Sequence, residues 1–172
     1  MGDNTMSETG SIEVNQYLTF KLDEEVFGLA IGKVREVLDF TTVTRVPQTP
    51  AYMRGVINLR GSVVPVIDLN LKFGMKKTEK TVNTCIIIAE IELDGEVTVL
   101  GALADSVQEV VELEPDQIEP APKIGTNLNT EFIKGMGKRD EIFIILLDID
   151  KVFSYEELAM VQGTEPQPEA AT

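Results

Sequence analysis

Two aspartates, one arginine and one cysteine are the side chains here whose type and setting could do chemistry. Asp68 and Asp148 each follow an apolar run, and a pair of carboxylates across a cleft is the equipment of glycoside hydrolysis. Each also precedes a short stretch of helical character, where aspartate caps by accepting backbone N–H bonds, so a structural reading stands beside the catalytic one. The scarcity of aromatics, with three Tyr and no Trp, leaves little to stack on a sugar ring. Arg60 stands at a hairpin tip in Asn58-Leu59-Arg60-Gly61, where its fork of donors could clamp a carboxylate of the chain or of a partner. Cys85 lies inside Val82-Asn83-Thr84-Cys85-Ile86-Ile87-Ile88, the setting of a small buried hydrophobe.

What is missing narrows the chemistry further. The 172 residues contain no histidine and no tryptophan, and Cys85 is the only cysteine. That excludes a histidine-based triad, a Cys-His nucleophile, a Cys/His zinc cage and an internal disulfide. No calcium-loop spacing occurs, and Gly135-Met136-Gly137-Lys138 lacks the further glycine and the Ser/Thr of a phosphate-binding loop. We expect no cofactor and no metal. With 29 acidic against 15 basic residues the formal charge is -14, a field that repels phosphate backbones and anionic lipid heads. Nucleic acid and direct membrane contact are therefore not expected. A lone cysteine and a polar, acidic N-terminus without an apolar signal core lead us to expect a cytoplasmic protein.

The elements that must position these residues are written twice. Gly28, Val34, Glu36, Val37 and Pro47 are matched 73 positions later by Gly101, Val107, Glu109, Val110 and Pro120. At an offset of 80, Tyr52-Met53-Arg54-Gly55 becomes Phe132-Ile133-Lys134-Gly135, and Ile67-Asp68-Leu69 with Phe73 becomes Leu147-Asp148-Ile149 with Phe153. A fixed internal period marks a repeated supersecondary unit. Within each copy, short alternating runs are punctuated by Gly and Pro. Leu18 to Leu22 and Val26 to Leu29 read as one hairpin, and Gly55 to Leu59 and Val63 to Ile67 as another, turning at Arg60-Gly61-Ser62. Pro65 cannot donate to a ladder, which places it at an edge or a bulge. Asp94-Gly95 reads as a tight turn in the second copy, and Met75 to Thr81 as a linker.

The expected fold class is all-β with short helices, as small barrels or a sandwich, and about 65 residues per copy fit an SH3-sized barrel of roughly five strands. The expected division is a disordered arm over 1–15, a first barrel over 16–78 and a second over 79–153. A C-terminal helix over 154–163, opened by a Ser154/Glu157 capping box, and a disordered tail over 164–172 follow.

The stretch Gly55-Val56-Ile57-Asn58-Leu59-Arg60-Gly61-Ser62-Val63-Val64-Pro65-Val66-Ile67-Asp68-Leu69 resembles the signature of the CheW family, the bacterial chemotaxis coupling proteins. Thr49-Pro50-Ala51, Ile118 to Pro122 and Asn129 to Gly135 extend the resemblance, which covers about residues 16 to 153. It implies an all-β fold of two five-stranded, SH3-like barrels on a shared hydrophobic interface, in keeping with the repeat. The same resemblance implies a non-catalytic adaptor linking the helical hairpin of a chemoreceptor to the regulatory domain of the histidine kinase CheA, with rings built from alternating contacts. It implies recruitment to receptor arrays at the inner face of the membrane. Position by position, the receptor groove implied by the resemblance consists of Val34, Glu36, Gly55, Arg60, Gly101, Val107 and Val110. For each valine, ordinary barrel core is the competing reading, and for Gly55 and Gly101 it is backbone geometry. The chain departs from some members at Glu119 and Ile124, where a basic residue and an aromatic give way to an acid and an aliphatic, which alters the candidate kinase or ring contact. Two alternatives stay open: the same scaffold role in a non-flagellar chemosensory pathway, and an acid-pair hydrolase using Asp68 and Asp148.

Overall fold

The computed structural model describes residues 15–93, 95–120 and 132–153. The expected arm before Asn15, the Ser154/Glu157 capping box, the helix over 154–163, the tail, Asp94 of the expected tight turn, and Ile124 lie outside the described residues. Among the described residues eleven strands follow in chain order. They are β1 (Asn15–Leu22), β2 (Glu25–Ala30), β3 (Val34–Asp39), β4 (Met53–Leu59), β5 (Ser62–Asp68) and β6 (Cys85–Leu93). The remainder are β7 (Glu96–Ala104), β8 (Ser106–Leu113), β9 (Ile118–Glu119), β10 (Ile133–Arg139) and β11 (Ile142–Leu147). One helical turn, α1 (Leu69–Lys72), follows β5, and 3-10 turns occupy Ile31–Lys33, Pro115–Gln117 and Ile149–Lys151.

Both hairpin tips adopt left-handed backbone where the sequence placed turns. Arg60 has φ 51° and Gly61 φ 90°, and Asp140, equivalent to Arg60 at the 80-residue offset, has φ 57°. Two consecutive positive φ values at Arg60-Gly61 match the right-handed twist of the flanking strands. Gly61 N–H donates to Asn58 Oδ1 at 2.8 Å and fixes the tip.

The strands form two sheets, β9-β10-β11-β2-β1-β8 and β3-β6-β7-β5-β4. This pairing regroups the chain relative to a division at residue 78. The first hairpin of copy one, β1-β2, joins β8 to β11 of copy two. The first hairpin of copy two, β6-β7, joins β3, β4 and β5 of copy one. The two copies have exchanged their leading hairpins. The parallel joints between them are themselves repeated: Leu146 pairs with Gly28 and Val66 with Gly101. Bulges recur at Met53/Gly55 and Ile133/Gly135. Asp68 N–H donates to Tyr52 O at 2.6 Å, and Asp148 N–H to Phe132 O at 2.8 Å.

Alternation along buried strands divides the apolar side chains among three cores. Tyr17, Val111, Leu113, Ile144 and Leu146 fill the first barrel. Ile57, Val64, Val66, Ile86, Ile88 and Leu103 fill the second. Leu18, Phe20, Leu29, Ile67, Ile87, Ala89, Leu100, Ala102 and Leu147 belong to the cluster shared by both sheets. Ile86 and Ile88 thus face one barrel's interior while Ile87 and Ala89 face the shared layer, which is why β6 reads as an unbroken apolar run rather than an alternating one. Gly28 and Gly101 belong to the barrel interiors: a Cβ at Gly101 would lie 2.7 Å from Ile86 Cγ2, and one at Gly28 would lie 3.0 Å from Ile144 and Leu146 methyls.

Pro65 sits on an interior strand, not at an edge. It opposes Val56 on β4, and the parallel ladder to β7 begins one residue later at Val66, so its missing N–H interrupts nothing on that side. Cys85 also departs from expectation. It opens β6 half-buried, with Sγ donating to Asn83 O at 3.3 Å, and burial pushes its thiol pKa up.

Candidate functional site

β3 carries Glu36 on the open edge of the second sheet, and the β4-β5 tip swings Arg60 toward it. Arg60 Nη2 donates to Glu36 Oε2. The barrel closes beneath them, because Thr44, just past β3, bridges Val56 on β4 by reciprocal N–H···O bonds of 2.8 Å. Gly55 is what lets Thr44 approach: its φ is 147°, and a Cβ there would sit 2.1 Å from Thr44 O. Glu36, Arg60 and Gly55 therefore belong to one closing seam. Arg60 also lines a concavity with Arg35, Leu59, Val63, Pro65, Val97 and Val99. Arg35 itself donates to Glu90 at 2.5 Å.

The remaining expected groove residues are placed differently. Val34 and Val107 are partly buried against the shared core, on β3 and β8 respectively. Val110, on the edge strand β8, is 47% exposed. Gly101 is buried within β7, where its role is to leave room for Ile86. The structure thus joins Glu36 to Arg60 directly and sets Val34 and Val107 at equivalent strand starts.

At the other barrel, Glu119 on β9 pairs with Lys138 at 3.2 Å, both half-exposed. Lys138 opposes Phe143 across β10 and β11. Ile142 and Phe143 are each 51% exposed. Sequence reasoning missed these two because they begin an apolar run that otherwise reads as core. The usable signal is their equivalence at the 80-residue offset to Ser62 and exposed Val63 at the opposite tip.

The two aspartates do not form an acid pair. Asp68 is fully buried, so no substrate reaches it. Its carboxylate accepts from Thr78 Oγ1 at 2.7 Å, Thr78 N–H at 3.0 Å, Arg54 Nη1 at 3.1 Å and Leu71 N–H at 3.3 Å. The last is the expected helix cap. Thr78 lies within the stretch expected to be a linker, and it is only 3% exposed. Asn70 Nδ2 donates to Thr78 Oγ1 at 2.7 Å, while its buried Oδ1 has no hydrogen-bond partner among the described residues. Asp148 belongs to the other barrel and makes no capping bond with its side chain; among the described residues Lys151 Nζ lies 4.0 Å from it.

Two further carboxylates tie the barrels together. Asp150 accepts from Lys33 Nζ at 2.7 Å and Glu92 N–H at 2.8 Å. Asp105, at the second crossover between sheets, accepts from Asp23 N–H at 2.5 Å. Beside α1, Arg45, Arg54 and Lys77 line a concavity floored by Phe40, Val43, Met53 and Leu71. Among the described residues no group of three or more His, Cys, Asp or Glu side chains is arranged to hold a metal. No helix among them is long and apolar enough to cross a membrane.

These features have known counterparts. The family model for the CheW-like domain matches residues 16–157. The chain is 39% identical over 160 residues to the chemotaxis protein CheW of Klebsiella aerogenes, covering 92% of this chain and 94% of that one. It is 31% identical over 140 residues to the chemotaxis protein CheW of Bacillus subtilis, covering 81% and 86%. The crystal structure of the scaffolding protein TtCheW from Thermoanaerobacter tengcongensis superposes with a TM-score of 0.73 at 37% identity, covering 83% of this chain and 94% of that one. A two-barrel fold, a signature running through both strands of the β4-β5 hairpin, and matches over nearly the whole length agree: this chain belongs to the CheW-like family, whose members are non-catalytic scaffolds of chemotaxis.

Proposed function

We propose that this protein couples chemoreceptor signalling tips to the histidine kinase CheA. Family membership carries the proposal, and the surface chemistry supports its division into two faces. The tip of the second barrel bears Arg60 beside Glu36, whereas the equivalent tip of the first bears Asp140 and Glu141 with Ile142 and Phe143 half-exposed. Duplicated ends with different side chains, an Arg60-Glu36 ion pair at one and half-exposed Ile142 and Phe143 at the other, suit two different partners. The receptor's helical hairpin is assigned to the side of Val34, Glu36, Gly55, Arg60, Gly101, Val107 and Val110. There the exposed Glu36-Arg60 pair sets register, and the partly buried valines offer apolar contact. The kinase's regulatory domain, or a second coupling protein in a ring, is assigned to the first barrel's end around Glu119 and Phe143, with Ile124 a further candidate contact. In this reading the protein works in the cytoplasm and is recruited to receptor arrays at the inner face of the membrane.

The test is a binding assay with reconstituted components: a chemoreceptor signalling fragment and the CheA regulatory domain, each alone and then together. Binding of both is expected. Arg60→Ala should reduce receptor binding with unchanged kinase binding, and Phe143→Asp the reverse. Failure to bind either component would refute the coupling role.

A further inference from the structure

We infer that two molecules of this chain can exchange their repeat copies, giving a closed dimer whose barrels each draw strands from both chains. The topology carries the inference. Within a copy, the ladders are the hairpins β1-β2, β4-β5, β6-β7 and β10-β11 and the short β9-β10 pair. Every ladder that assembles hairpins into barrels runs between copies: β1 with β8, β2 with β11, β3 with β6, and β5 with β7. Copy two of a second chain therefore satisfies copy one with all four ladders and the shared core intact, and a reciprocal exchange closes with two-fold symmetry.

Only the connection between copies must change, and it is built like a hinge. It has two buried anchors. Thr78, 3% exposed, is bound to Asp68 of copy one through its N–H and its hydroxyl. Thr84, 2% exposed, starts copy two, and its carbonyl accepts from Phe40 N–H at 3.2 Å. Glu79, Lys80, Thr81, Val82 and Asn83 between them are all exposed, Val82 at 99%. Four local hydrogen bonds fold this segment back. Thr81 N–H donates to Thr84 Oγ1 at 2.8 Å and Asn83 N–H to Thr81 Oγ1 at 3.1 Å. Thr84 N–H donates to Thr81 O, and Thr84 Oγ1 to Glu79 O, both at 3.2 Å. Lys80 also lies over the Phe40 ring at 5.2 Å. Water replaces those bonds when the segment extends, and five extended residues span about 17 Å. Both anchors keep their partners in the exchanged form, since Thr78 stays with copy one and Thr84 with copy two.

The closed monomer is favoured in dilute solution, where its two copies are tethered at high effective concentration. Exchange belongs to concentrated refolding, or to a hinge that resists the turn. The test refolds the full chain at roughly 1 µM and 1 mM, and measures mass by light scattering on a sizing column. A dimer of twice 19.0 kDa is expected at the higher concentration. Asn83→Pro, which removes the donor to Thr81 Oγ1 and stiffens the segment, should raise the dimer fraction about tenfold at equal concentration. Inserting six Gly/Ser residues after Val82 should return the protein to monomer. Limited cleavage at exposed Lys80 then identifies the architecture. An exchanged dimer falls to the monomer mass as two nicked molecules, whereas a dimer held by surface contacts keeps twice the mass. Should Asn83→Pro fail to fold, Thr81→Ala removes the same hydrogen bond without constraining the backbone. The inference is overturned if folded wild type and both hinge variants remain monomeric at 1 mM, or if the dimer keeps its mass after cleavage.

Discussion

Asp68 and Asp148 occupy the same place in the two copies, yet their surroundings predict opposite responses to mutation. Asp68→Ala removes the acceptor for four donors and leaves Arg54, 21% exposed, with Thr78 O at 3.1 Å as its remaining acceptor among the described residues. Breaking a buried pair by deleting one partner costs about 3–5 kcal/mol. Loss of the Leu71 cap is part of that sum and amounts to about 0.5–2 kcal/mol by itself. For a chain of this length the melting temperature should fall by roughly 6–20 °C. Asp68→Asn keeps the shape but turns an amide N–H₂ toward donors, so its cost should lie toward the lower end of that range. Asp148→Asn, whose side chain is 30% exposed and 4.0 Å from Lys151 Nζ, should stay within about 0.5 kcal/mol of wild type. Urea unfolding followed by far-ultraviolet circular dichroism measures all three, since the chain has no tryptophan to report by fluorescence. Equal, small effects at the two positions would refute the assignment of Asp68 to a buried structural network. A polysaccharide hydrolysis activity lost in well-folded Asp68→Asn would refute it more directly.

Further outcomes follow from the same geometry. Gly55→Ala should prevent closure between Thr44 and Val56 and leave the protein largely unfolded by circular dichroism, whereas Gly32→Ala, with open space around it, should fold normally. Gly101→Ala overpacks the second barrel against Ile86 and should cost about 1–3 kcal/mol in the same urea titration. Glu36→Ala and Arg60→Ala disrupt a largely exposed pair and should each change stability by under about 1 kcal/mol. Receptor-fragment affinity should nonetheless fall, and a matching loss of stability would reassign the pair to internal structure. Arg45→Glu with Lys77→Glu reverses charge in the concavity beside Phe40 without touching the core. If that face meets an acidic partner segment, one partner's affinity should drop at low ionic strength and the difference should shrink in salt.

Much of the fold was legible because its signals are local. The strand through Leu18 to Leu22, the Arg60-Gly61 tip and the Asp68 cap each rest on a few adjacent residues and each is present, although Thr19 is buried with its apolar neighbours instead of alternating with them. The repeat was legible too, down to Gly28 and Gly101, because the same barrel crowding selects glycine twice. What could not be read was which copy's hairpin pairs with which. Sequence likeness records that β2 and β7 share an origin, but Gly28 lies beside Leu146 and Gly101 beside Val66 whichever copy supplies them. Thr78 was hidden for a similar reason. A threonine among lysines reads as solvated linker, and its burial depends on Asp68, ten positions earlier, needing donors. Of the candidate site, only the Glu36-Arg60 contact was within reach of sequence, through the complementary charges of the two positions. The half-exposure of Ile142 and Phe143 is a property of where a strand enters the barrel, which composition does not encode.

The exchange of leading hairpins also sets a timetable for synthesis. The second sheet can complete itself once Ala104 has left the ribosome, because all its strands lie between Val34 and Ala104. The β1-β2 hairpin emerges first yet finishes last, since Phe27 must wait for Ile145. At ~5–20 residues per second that interval is roughly 6 to 24 s. Leu18, Phe20, Leu22 and Phe27 can meet Ile67, Ile87, Leu100 and Ala102 of the shared layer once the second sheet has formed, but the ladder from β2 to β11 stays open throughout that interval. The order of translation therefore leaves the oldest hairpin without its β11 neighbour until the last of the described strands is made.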